Sequence, residues 1–196
     1  MMRSKEKAAV STDTPQDVLR KLAGEDDELA ILVARNPNAG PDLLANIYSR
    51  LQSNAYGLTA GCIVLESGLA NFELLLRVIA DFPDVNEERD VDYPGERSYG
   101  VLLAQHKDTP LEVLGQLSES PYYLVREQLA MRPDLPKNIA TRLASDKSRL
   151  VRQVLASNPN LSVAELQMLA TDSEPAVRFK VALHPRADLA PGFRTP

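Results

Sequence analysis

The chain has 196 residues, of which 44% are hydrophobic and 25% charged, so it is long enough to bury a core and has the composition of a globular protein. These values exclude collagen-like, fully disordered and membrane-spanning chains. One cysteine, two histidines and 5% aromatic residues leave few groups for an active site, and the net charge of −5 argues against bulk electrostatic binding to nucleic acid or membranes.

Residues 1–12 are predicted to be a flexible polar tail that precedes the folded part. The basic residues near Met1 are not followed by an apolar segment, so no export signal is expected. No apolar run approaches the roughly 18 residues of a membrane span. The single cysteine, Cys62, lies in an apolar segment and is expected to be a buried, inert thiol. We therefore expect a cytoplasmic protein with no membrane contact.

A 26-residue repeat begins near Asp13 and continues to Arg186. It is clearest in the second half of the chain, where three prolines, three valines, three arginines and three leucines each recur at this step. These columns are Pro133, Pro159 and Pro185; Val125, Val151 and Val177; Arg126, Arg152 and Arg178; and Leu117, Leu143 and Leu169. Agreement in several independent columns predicts a repeat protein with about five units and a truncated sixth.

Each unit is predicted to contain two helices. The first unit ends in Val33-Ala-Arg-Asn-Pro-Asn38, the second spans 42–49 and a degenerate 54–65, and the third spans 71–80 and 98–105. In the later units, apolar residues recur at helical steps of three and four, and each Asn-Pro pair is expected to end a helix. Because helices of about ten residues are marginal alone, they must stack on one another. The sequence predicts an all-α, right-handed α-solenoid of about five two-helix repeats, forming a single domain over residues 13–186.

Residues 81–97 break the repeat as an insertion with seven acidic residues and two arginines. Its oxygen-bearing residues alternate as in a calcium-binding loop: Asp84, Asn86, Glu88, Asp90 and Asp92. The pattern fails at the sixth position, where Arg89 replaces glycine, and at the twelfth, where Gly95 replaces an acid. Three interpretations stay open: a calcium site, a loop that contacts a partner, and a solvated acidic excursion. Its partner-binding candidates are Asp84, Glu88, Asp90 and Asp92.

The arginine column is a second group of candidates. Stacked repeats would set Arg126, Arg152 and Arg178 in a row at intervals of about 10 Å, which suits phosphates or an acidic peptide. The structural alternative is a ladder that pairs each arginine with an aspartate, such as Asp146 or Asp172, or with helix-end carbonyls. The alternative is favoured because the arginines recur in step with core residues.

Two adjacent tyrosines replace polar residues of the equivalent turns. Tyr122 and Tyr123 follow Pro121 and are candidate anchors at an interface, with packing against a neighbouring turn as the alternative. After Pro185 the chain is too short and too rich in proline for another helix pair. Residues 187–196 are therefore predicted to cap the last helix through Leu189 and Phe193.

The repeated sequence motif resembles that of the variant leucine-rich repeat family. The resemblance is carried by Val151-Arg152 to Asn160, by Leu166 to Asp172 and by Val177-Arg178. It extends over most of Asp13 to Arg186, strongly after Ser98. The step of 26 is longer than the usual unit of this family and leaves room for second helices of the HEAT or armadillo kind. Some family members look like proteins that carry an amino-terminal cysteine cluster. The present chain, in which Cys62 is the single cysteine, lacks such a cluster. The resemblance implies an interaction surface.

The sequence contains no arrangement of residues typical of catalysis, cofactor binding or metal binding. We expect a non-catalytic interaction module or scaffold whose partner is another protein, without a cofactor. The alternative is binding of a nucleic-acid backbone by the arginine row. Met1 to Ser98 carry a net charge of −7 and Tyr99 to Pro196 a net charge of +2, so an anion-binding surface would lie in the second half.

Overall fold

The computed structural model describes residues 4–52, 57–85 and 98–187, and all regular secondary structure in these ranges is helical. Thirteen helices occur there: α1 (Ser4–Val10), α2 (Gln16–Glu25), α3 (Asp27–Ala34), α4 (Gly40–Leu51), α5 (Gly57–Glu66), α6 (Phe72–Asp81), α7 (Tyr99–Gln105), α8 (Leu111–Leu117), α9 (Tyr123–Met131), α10 (Lys137–Ala144), α11 (Arg149–Leu155), α12 (Val163–Ala170) and α13 (Pro175–Ala182). The predicted all-α class is confirmed.

The chain divides into two compact units, residues 1–108 and 109–196, called unit 1 and unit 2 below. Unit 1 contains α1 and the helix pairs α2/α3, α4/α5 and α6/α7. Its second helices pack in sequence, α3 against α1, α5 against α3 and α7 against α5, while α2 packs against α4 in the other layer. The pairs of unit 1 are thus stacked in two layers, which is the architecture of an α-solenoid.

Unit 2 repeats this arrangement with the pairs α8/α9, α10/α11 and α12/α13. The second helices α9, α11 and α13 form one continuous layer, and α10 packs against α12 in the other. The last pair, α12/α13, is complete. The sixth repeat was expected to be truncated, and this expectation was wrong. The right-handed twist and the single domain over residues 13–186 stay predictions.

The amino-terminal prediction was wrong for the residues that the structure describes. Residues 4–10 were expected in a flexible tail, but they form α1, which packs against α2 and α3. Ala9 is fully buried, and the hydroxyl of Thr14 donates to the carbonyl oxygen of Ala8 at 2.6 Å. α1 therefore occupies the place of a second helix from a preceding pair, and it covers the apolar surface that α3 would otherwise expose.

The ends of the second helices are joined by a repeated asparagine. The side-chain amide of Asn158 donates to the carbonyl oxygens of Ala130 at 2.8 Å and Arg132 at 2.7 Å, at the end of the preceding second helix. Asn36 makes the same two bonds to Ala9 and Ser11, at 2.8 and 2.9 Å. Each of these buried asparagines satisfies carbonyl groups that the helix end leaves unpaired.

The same position in the last pair holds a histidine. His184 is buried, and its Nε2 lies 2.9 Å from the carbonyl oxygen of Asn158, while its Nδ1 accepts the amide of Arg186 at 3.1 Å. These two bonds require the proton on Nε2, so the ring acts as asparagine does in the earlier repeats. The histidine is therefore part of the stacking contact between repeats.

Asparagine substitutions at two alanines of α1 test whether this helix is part of the folded structure. Ala9→Asn places an amide in a fully buried site and should lower the free energy of unfolding by about 1–3 kcal/mol beyond the helix-propensity cost. Ala8→Asn, at a half-buried position of the same helix, carries the same propensity cost of about 0.6 kcal/mol and is the control. Urea unfolding followed by circular dichroism measures both. Equal and negligible effects at the two positions would show that α1 is a tail.

Candidate functional site

Two of the three candidate arginines lie in an ion-pair ladder of unit 2. In Arg126, Nε and Nη2 donate to the two carboxylate oxygens of Asp146 at 2.7 and 3.0 Å, and Nη1 donates to the carbonyl oxygen of Ser120 at 2.6 Å. Arg152 makes the equivalent bonds to Asp172, at 2.6 and 3.0 Å, and to the carbonyl oxygen of Asp146 at 2.6 Å. The loop between the two helices of a pair is called its link below. Each guanidinium thus connects the link of its own helix pair to the link of the next pair. The contacts of the structural alternative are confirmed, with the aspartates it named.

The ladder is shielded from solvent. The side chains of Arg126 and Asp146 are 4% and 6% exposed, and those of Arg152 and Asp172 are 14% and 6% exposed. The hydrogen bonds from Arg152 hold the pKa of Asp172 below its ordinary value, and the same bonds raise the pKa of Arg152. Neither arginine offers its charge to a phosphate or an acidic peptide without breaking the ladder. An exposed arginine row is therefore not formed by these residues.

Arg178 differs from the other two arginines. Its Nη1 donates to the carbonyl oxygens of Asp172 at 2.7 Å and Ser173 at 3.0 Å. Within the described residues, no carboxylate lies within ion-pair distance of Arg178, and the side chain is half-buried. It retains a positive charge at the edge of unit 2.

The structure describes only some of the remaining candidates. Tyr122 is half-buried at the start of α9, where its amide donates to the hydroxyl of Ser120 at 3.3 Å, and Tyr123 is 43% exposed. Asp84 is exposed in unit 1. Glu88, Asp90 and Asp92 lie outside the described residues, as do the predicted cap residues Leu189 and Phe193. Of this group, Tyr123 is placed on a surface of unit 2 that a partner could reach.

The segments on either side of the acidic insertion are held by two buried tyrosines. The hydroxyl of Tyr99 donates to the carbonyl oxygen of Phe82 at 3.2 Å, and the two rings meet edge to face with their centroids 6.4 Å apart. The hydroxyl of Tyr48 donates to a carboxylate oxygen of Asp81 at 2.8 Å. Burial raises the pKa of both tyrosine hydroxyls well above the ordinary value. These tyrosines fix the end of α6 and the start of α7, so their role is structural.

The outward side of α9, α11 and α13 is an apolar surface, which we call the second-helix face. It consists of positions 124, 127, 128 and 131 of α9 and the positions 26 and 52 residues further along the chain. All twelve are exposed or half-exposed, seven are apolar and two are charged, Glu127 and Lys180. Its most exposed large side chains, between 40% and 64% exposed, are Leu124, Met131, Leu150, Phe179 and Leu183. They lie on three helices that pack side by side.

The outward side of the first helices has a different character. The matching positions, which are 112, 115, 116 and 119 and the positions 26 and 52 residues further along the chain, hold two apolar side chains, Ala164 and Met168. Leu111, one residue before this set, is also exposed. Three of the twelve are charged, and Arg142 forms an ion pair with Glu119 across two first helices. The outward sides of the two layers of unit 2 thus differ in polarity, although both face the same solvent. The apolar character of the second-helix face is a property of that layer.

Sequence analysis did not identify this face, although the sequence contains a signal for it. Residues 127, 153 and 179 occupy the same position in successive repeats and are Glu, Gln and Phe, so an apolar residue breaks a polar column. This break falls beside the buried valine column and was hidden by it, because helical spacing alone does not show which apolar residues face solvent.

Comparison with known proteins bears on the amino-terminal part of the chain. Residues 3–55 match the family model of the Leucine Rich Repeat Variant domain. The predicted resemblance to this family is confirmed there, and the match extends through α1, which the sequence analysis had placed outside the repeats. No curated protein and no solved structure matches the chain significantly. Among the described helices, none is long and apolar enough to cross a membrane.

The ladder predicts a specific loss of stability in acid. Because the folded-state pKa of Asp172 is lowered, its stabilising contribution is present above the unfolded-state pKa of about 3.9 and is lost as the pH falls through the folded-state value. Asp172→Asn leaves Arg152 buried without its carboxylate and should lower the free energy of unfolding at pH 7 by about 3 kcal/mol.

Chemical unfolding at a series of pH values measures this difference. The gap between the wild type and Asp172→Asn should be constant near neutrality and should close below about pH 4. Glu112→Gln, at an exposed position of α8, is the control and should change stability by less than about 0.5 kcal/mol. A gap that persists unchanged at low pH would contradict the ion-pair assignment.

Proposed function

We propose that this chain is a non-catalytic protein-interaction module, and that the second-helix face of unit 2 is its binding surface. The observation that carries the proposal is the exposure of Leu124, Leu150, Phe179 and Leu183 on one layer of three helices that pack side by side. Soluble proteins rarely expose a contiguous apolar patch without a partner to cover it. A match to a family of helical repeat domains, whose stacked units generate extended surfaces, supports the same function.

The face has the composition expected of an interface core. Such cores are depleted in charged residues and enriched in aromatic side chains and methionine. Phe179 and Met131 lie within the face, and Tyr123 lies at its amino-terminal rim. The rim also contains polar side chains of the links between first and second helices. This distribution of an apolar centre and a polar rim supports association with another macromolecule.

No observation favours the nucleic-acid alternative. It required an exposed arginine row, whereas Arg126 and Arg152 are paired with aspartates inside unit 2. The acidic insertion over 81–97 is described only to residue 85, and the proposal does not depend on it. A cytoplasmic location stays a prediction.

A charge-introduction experiment tests the proposed surface. Leu150→Glu combined with Phe179→Glu places two carboxylates in the face. This double variant should retain more than ten-fold less of the partner protein, because burying an unpaired charge in the interface costs binding free energy. The control is Leu111→Glu combined with Met168→Glu, which introduces the same charge at exposed apolar positions of the first helices. Quantitative retention of proteins from a native extract on the immobilised chain measures the effect.

All four substitutions lie at positions at least 40% exposed, so both variants should unfold at temperatures close to that of the wild type. Circular dichroism confirms this before binding is compared. If the two double variants retain the same proteins in the same amounts as the wild type, the second-helix face is not the binding surface.

A further inference from the structure

The rim of the second-helix face carries a positive charge that the face itself lacks. Lys147 and Arg149 are exposed in the link before α11 and at its first residue. Within the described residues, neither has an acidic side chain at ion-pair distance. The corresponding residues of the neighbouring repeats are Pro121 and Tyr123 on one side and Ser173 and Pro175 on the other. The two cations therefore depart from the repeat and mark the middle of this edge.

The acids at the same edge do not cancel this charge. Asp146 and Asp172 are paired with Arg126 and Arg152 in the ladder. Arg178 adds a third cation whose described hydrogen bonds are made to carbonyl oxygens. The other acids of the links are Glu174 and Glu119, and Glu119 is paired with Arg142. On the face itself, Glu127 and Lys180 balance each other. A partner that fits this surface has apolar side chains at its centre and carboxylates towards the amino-terminal edge of α11.

The surface also restricts the backbone conformation of its occupant. It is formed by helices, whose backbone groups are hydrogen-bonded within each helix, so it offers side chains and no strand edge. An extended segment laid on the apolar centre would bury amide and carbonyl groups without partners, at a cost of roughly 1–3 kcal/mol for each group. A helical segment satisfies its own backbone and avoids this cost. The face therefore selects a helix that lies across α9, α11 and α13.

We propose that the second-helix face binds an acidic amphipathic α-helix of another protein, with the apolar side of that helix against Leu150 and Phe179 and its carboxylates near Lys147 and Arg149. This inference rests on the proposed function and names the class of its partner. Three helices at spacings of about 10 Å present a surface about 20 Å across, which a helix of about 14 residues would span. Electrostatic attraction at the rim orients the bound helix, and apolar burial supplies most of the affinity.

Selection from a peptide library tests the partner class on the full-length chain. The probe is a display library of peptides of about 18 residues, randomised among Leu, Phe, Ala, Gln, Glu and Lys. We expect the enriched peptides to have a net negative charge, with apolar residues three and four apart. Their affinity should fall at least ten-fold on the Lys147→Glu/Arg149→Glu variant. The control variant, Lys21→Glu/Lys137→Glu, has the same net charge at exposed sites away from the face and should bind as the wild type does.

The outcomes separate this inference from the proposed function. Peptides that depend on Leu150 and Phe179 but are basic or neutral would overturn the acidic partner and leave the binding surface in place. A proline in the centre of the tightest peptide should abolish binding, and its tolerance would overturn the helical conformation. If no selected peptide depends on the face, the inference is wrong, and the retention experiment on the native extract then decides the proposed function independently.

Discussion

The structure depends on the stacking of helices that are too short to be stable alone. The described helices have between seven and twelve residues, and isolated helices of this length are marginal in water. Each pair is stable because its apolar columns, such as Val125 and Leu129 in α9 and Val151 and Leu155 in α11, are buried between layers and between repeats. Burial of this kind is not directional, so it does not by itself fix how one pair sits on the next.

Directional contacts supply the register between pairs. Arg126 reaches Asp146 at the amino-terminal ends of the second helices, and Asn158 reaches the Ala130 and Arg132 carbonyls at their carboxyl-terminal ends. A buried ion pair adds little net stability over an apolar replacement, but removal of one partner is costly. A stack shifted by one helical turn would leave these groups unpaired. The ladder and the asparagines therefore favour one register, and apolar burial provides the stability.

The sequence predicted the helices and the ladder because both repeat, and it failed where a feature occurs once. α1 lacks the Asn-Pro sequence that follows α3 and α11, so its place in the stack was visible only through the burial of Ala9. The arginine column left two interpretations open, because the direction of each guanidinium is set by the position of the next repeat. The second-helix face was missed for a related reason. Exposure of Leu150 or Phe179 depends on which side of the helix the neighbouring pairs cover, and periodicity alone does not give that information.

The two layers of unit 2 place polar and apolar groups in an unusual way. Charged groups that are ordinarily solvated, Arg126, Asp146 and Asp172, lie inside the stack, while large apolar groups such as Phe179 and Leu183 lie outside. The composition of the whole chain does not explain this distribution, because the first helices of the same unit present a more polar surface. The ladder neutralises Asp146 and Asp172, so exposed Lys147 and Arg149 leave a positive charge at the edge of the apolar face. The contact that fixes the stacking register therefore also determines the electrostatic character of the surface offered to a partner.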